Sequence, residues 1–172
     1  MPTTLTTVDV FLLALIDGGA TTVYTMNRAA GLSIGTALPA IRRLEVEGLI
    51  AQHKPEARRK QTLSLTSVGR KALKDQRPRV IEAGIRKPPR ELNSVLRLAS
   101  LALGTGDRES CVAILRAAAA NRAGTGTVPP RRNRTAKPGR GLGSLYLWMV
   151  EIAESFRHDS EAKALRDLVT RL

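Results

Sequence analysis

Apolar positions recur at helical spacing along most of this chain, and at a spacing of two over one short stretch. Phe11, Leu12, Leu15 and Ile16 share one side of a segment from Thr7 to Asp17, which Gly18-Gly19 stops. A second helix begins near Thr21 or Thr22 and carries Val23, Met26 and Ala30. Ala37, Ile41 and Leu44 form the buried face of a third, from Ile34 to Glu47, which Gly48 ends. Leu49 to about His53 reads as a strand. Gln61 to Leu65 alternates polar and apolar, so Leu63 and Leu65 point inward. Joined through Lys54 to Lys60, the two strands make a β-hairpin. Thr66 caps a further helix with Val68, Ala72 and Leu73 apolar. Pro78 and Pro88-Pro89 interrupt helix propagation, which predicts a connector over residues 77–90.

Beyond the connector the pattern is helical throughout. Leu92, Val95, Leu96, Ala99 and Leu103 share a face between Glu91 and Leu103, and Asp107 caps a helix to about Arg122 that turns Val112, Leu115 and Ala119 inward. Residues 123–143 are rich in Gly, Pro and Arg, contain no acid and cannot bury a core, so they read as a flexible basic loop. Ser144 is the expected cap of the next helix, with Leu145, Trp148, Met149, Ile152 and Phe156 as its stripe. Asp159 or Ser160 starts a last one with Leu165, Leu168, Val169 and Leu172. The expected fold class is mainly α with a small β-hairpin. A winged helix-turn-helix occupies residues 1–76, and an all-helical region occupies residues 91–172.

The stretch from Gly31 to Ile50 carries the functional reading. Gly31 supplies the backbone freedom of a tight inter-helix turn, and Ser33 is placed to accept a hydrogen bond from the first turn. Opposite the buried face, Thr36, Pro39, Ala40 and Arg43 fall together, with Arg42 beside them. That side is small, polar and cationic, as a helix entering the DNA major groove requires. The hairpin tip KPEARRK holds four cations against one acid, within reach of the DNA backbone or minor groove.

Charge strengthens this picture without deciding it. The chain has 28 Lys and Arg against 15 Asp and Glu, a formal net charge of +13 and a pI of about 11.2. Such an excess implies an anionic partner, nucleic acid first and an anionic membrane surface second. An arginine-rich but otherwise ordinary globular protein is the plain alternative. Aromatic residues are 3% of the chain, so the core must be built from Leu, Val, Ile and Ala. A lone cysteine, Cys111, cannot form an intrachain disulfide, fits a reducing cytoplasm, and sits where a small buried side chain is expected. No apolar run approaches the ~18–20 residues of a membrane span, and Val10 to Ile16 lacks the basic start of a signal peptide.

GTALPAIRRLEVEGLI, from Gly35 to Ile50, resembles the recognition helix of the PadR family of winged-helix transcriptional regulators. Its most telling match is Pro39, because an in-helix proline costs a backbone hydrogen bond. Arg59-Lys60, Leu65-Thr66 and Gly69 echo the end of that family's wing. The resemblance covers about residues 7–75. Two departures stand out: Leu38 replaces a tyrosine on the helix, and Gln61-Thr62 replace an aromatic pair in the wing. A leucine at position 38 offers DNA an apolar contact, for example to a thymine methyl. The resemblance implies dimerisation through C-terminal helices.

From these residues the chain is expected to be a sequence-specific, double-stranded-DNA-binding regulator, a dimeric repressor. Thr36, Leu38, Arg42 and Arg43 are expected to meet bases or flanking phosphates, with Ser33, Gly35 and Pro39 completing that helix's contact set. Arg58, Arg59 and Lys60 are expected to hold the backbone. A winged-helix protein-interaction module and a non-specific nucleic-acid binder are the alternatives. No phosphate-binding glycine loop, nucleophile elbow or zinc-ligand spacing occurs, and His53 and His158 lie far apart, so neither catalysis nor a cofactor is expected.

Overall fold

The computed structural model describes residues 5–53, 62–122, 141–155 and 161–172. The chain divides into two compact units, 1–79 and 80–172. The mainly helical fold class with one small hairpin is as expected. The first unit holds α1 (Thr7–Asp17), α2 (Val23–Ala30), α3 (Ile34–Val46), β1 (Ile50–His53), β2 (Thr62–Leu65) and the beginning of α4 (Ser67–Arg86).

Helix α1 is the centre of this unit. Sequence periodicity gives it one apolar side, yet every residue from Asp9 to Ile16 is buried. Thr6 and Asp9 close its N-terminus as a capping box: the Asp9 backbone donates to the Thr6 hydroxyl, and the Asp9 carboxylate accepts from the Thr6 backbone at 2.8 Å. Thr22 and Thr25 cap α2 in the same way. Gly31 follows at φ +60, a left-handed conformation, in the tight inter-helix turn predicted for it.

The hairpin is antiparallel, with Ile50 opposite Leu65 and Gln52 opposite Leu63. Ile50, Leu63 and Leu65 face the core. A third segment joins its inner edge, because the Leu63 backbone donates to the Thr21 carbonyl at 2.7 Å. Thr66 fastens the hairpin to α4: its backbone donates to the Leu49 carbonyl, its hydroxyl donates to the Gly48 carbonyl, and it accepts from the Gly69 backbone. The predicted cap at Thr66 is therefore also a clamp on the start of β1.

Helix α4 corrects one expectation. It runs on through Pro78 to Arg86, so residues 77–86 are helix, not an interrupted connector. A proline removes one backbone hydrogen bond and restricts its predecessor, but burial on either side carries the helix past it, with Leu73 buried in the first unit and Ile81 in the second.

The second unit contains α5 (Leu92–Leu103), α6 (Arg108–Arg122), α7 (Leu142–Ser155) and α8 (Glu161–Arg171). Helix α5 packs on α6 and α7, and α8 packs on the same two, so the four close into a ring around one core. The Asp107 carboxylate accepts from the Ser110 backbone at 2.9 Å, as its cap role predicts, and hydrogen bonds from Ser110 hold that carboxyl below its ordinary range. Helix α7 begins at Leu142, so Ser144 lies inside it and does not cap it. Tyr146, not Leu145, takes the buried place on its stripe beside Met149 and Ile152. The Arg97 guanidinium lies 6.0 Å from the Tyr146 ring centroid, where a cation meets the negative face of a phenol.

Cys111 is fully buried on α6, and burial, with Asp107 adding a smaller effect, pushes its thiol up to about 12. A value raised that way keeps the sulfur protonated near neutral pH, where the nucleophilic thiolate is scarce. The native protein at pH 8 is expected to leave an aromatic disulfide reagent unreacted, and to release one equivalent of thiolate in guanidinium. Rapid reaction of the folded chain would contradict this burial.

Candidate nucleic-acid interface

Helix α3 presents the candidate surface, and its orientation is fixed at three places. Ser33 is the N-cap, accepting from the Thr36 backbone at 3.2 Å while the two hydroxyls share a hydrogen bond of 2.9 Å. Ala37, Ala40, Ile41 and Leu44 are buried beneath it. Its far end is held by Arg43, whose Nη2 donates to Asp9 Oδ1 at 2.5 Å. Asp9 is 1% exposed, so this pair joins α3 to the central helix.

Two expectations change. Ala40 belongs to the buried face, not the outer one. Arg43, expected to meet bases, has its guanidinium committed to Asp9 and acts as a positioning residue. The outward line is instead Gly35, Leu38, Pro39, Arg42 and Val46, at offsets of 3, 4, 7 and 11, all exposed and without an acid. Arg42 has no ion-pair partner among the described residues. Thr36 is half-buried. Pro39 has no N–H to give the Gly35 carbonyl, so that acceptor is left without its intrahelical partner on the open side.

Sequence reasoning passed over two apolar residues on this surface. Ile34 is 61% exposed and Val46 is 89% exposed. Val46 carried a signal, since it falls far outside the arc of Ala37, Ile41 and Leu44, whereas Ile34 keeps that arc's spacing and is exposed at the first residue of the helix. The nearby acid Glu45 is turned to the hairpin, accepting from Gln52 Nε2 at 2.9 Å. Arg58, Arg59 and Lys60 lie outside the described residues. Over residues 1–79 the sequence carries twelve Lys and Arg against six Asp and Glu, so the unit bearing α3 is itself cationic.

No protein-family model, curated protein or solved structure matches this chain. Among the described residues no group of three His, Cys, Asp or Glu is arranged to hold a metal ion, and no helix is long and apolar enough to cross a membrane.

Proposed function

We propose that this chain is a sequence-specific, duplex-DNA-binding transcriptional regulator of the winged-helix type that the PadR resemblance implies. It acts as a dimer through its C-terminal helices and represses by occupying a promoter. One observation carries the reading: α3 offers an acid-free outer line with an arginine, Arg42, that has no ion-pair partner among the described residues, on a helix locked to the core by Ser33, Asp9 and Arg43. Rigid placement matters because a recognition helix must hold its side chains in register with base edges. The cationic unit supplies the sequence-independent attraction to phosphate.

A second reading, a winged helix used to bind protein, is favoured by the exposure of Ile34 and Val46. Titration of labelled duplex with the intact protein near physiological salt separates the two. The DNA reading predicts saturable binding that weakens steeply with salt, and a loss of ~1–3 kcal/mol for Arg42→Ala. Absence of binding by the unaltered protein would favour the protein partner.

A further inference from the structure

We infer that the outer face of α3 selects its DNA chiefly by the C5-methyl groups of thymine, with Arg42 as its far-reaching hydrogen-bond donor. The inference rests on the DNA-binding reading above. It follows from an inventory of what the face can offer a base edge. The short hydroxyls of Ser33 and Thr36 share one hydrogen bond in the cap, so one O–H and the Gly35 carbonyl stay available only close to the backbone, and Arg43 is bonded to Asp9. Gly35 has no side chain, and Leu38, Pro39, Ile34 and Val46 are apolar.

On this face Arg42 alone projects a long polar group without a partner among the described residues. Asn or Gln, which would read adenine bidentately, is absent from α3. The thymine methyl is the apolar feature that the major-groove edges of the four bases present. Leu38, 37% exposed and one turn before Arg42, can cover such a methyl while the guanidinium reaches the O6 and N7 of a neighbouring guanine. The cationic unit favours DNA over an apolar protein surface as the occupant.

Deoxyuridine isolates this term, because it pairs as thymidine does and lacks only the methyl. A duplex pool retained by the intact protein is amplified once with thymidine and once with deoxyuridine triphosphate, and the two are titrated in the same salt. The expected result is binding about tenfold weaker for the uracil pool, the effect of two covered methyls in a two-fold pair. Leu38→Ala should weaken binding to the thymine pool and largely erase the difference between the pools. Equal binding of both pools by the unaltered protein would overturn the methyl reading and leave DNA binding standing. Retention of no duplex in the starting pool would overturn both.

Discussion

Replacing Arg43 with alanine lowers the stability of the N-terminal unit by about 2–3 kcal/mol. The Asp9 carboxylate has two sets of donors: Thr6 serves Oδ2, and Arg43 serves Oδ1. Without Arg43, Oδ1 stays buried with no donor from α3, while both Thr6 donors are taken up by Oδ2. Because Arg43 is itself 44% exposed, the loss falls below the upper range seen for fully buried pairs. Asp9→Asn removes the charge that needs the guanidinium, so Arg43→Ala on that background costs less than about 1 kcal/mol. Urea unfolding followed by far-ultraviolet circular dichroism, with hydrogen exchange at α1 and α3, measures this. Fluorescence does not suffice, because the single tryptophan, Trp148, belongs to the other unit. Arg42→Ala leaves stability unchanged and acts on binding alone. Equal stability losses for the two arginines would remove the distinction between positioning and contact.

Gly69→Ala has a second large effect, about 3 kcal/mol of destabilisation. A Cβ at residue 69 would lie 1.9 Å from the Leu49 carbonyl oxygen and 2.8 Å from its carbon. Both are backbone, so no side chain can swing away. The same oxygen receives the Thr66 backbone and hydroxyl, and displacing it would loosen the clamp between α4 and β1. Gly35→Ala is the matched control. Its nearest neighbour is the Ser33 hydroxyl at 4.0 Å, and alanine in a helix is favoured over glycine by roughly 0.5–1 kcal/mol. Denaturant midpoints for the two variants should therefore move in opposite directions. A Gly69→Ala protein as stable as the original would refute the close approach.

These two sites also show what the sequence disclosed. Gly69 stood out only as part of the Leu-Thr-x-x-Gly run, because the backbone that makes it necessary, the Leu49 carbonyl, lies twenty residues earlier in the chain. Ser33, Gly31 and Asp107 were legible from the residues themselves, since caps and inter-helix turns act within one helical turn. Arg43 was not, because its partner lies 34 residues earlier and one charged residue on a helix gives no sign of which acid will face it. Ala40 sits at the border of the helix face, and alanine suits either side. Pro78 misled because its cost is local, whereas the burial of Leu73 and Ile81 that outweighs it is tertiary. Both departures from the PadR pattern were plain in the sequence. One of them, Leu38, now stands on the exposed line of α3, where it shifts the surface from hydrogen bonding toward apolar contact.

Selection of bound duplexes from a random library, with the intact protein near physiological salt, tests the central claim most directly. The account predicts an enriched inverted repeat, with thymine and guanine prominent in half-sites about one helical turn apart, as two-fold related recognition helices require. Retention of duplex with no enriched sequence, or no retention at all, would contradict a sequence-specific reader.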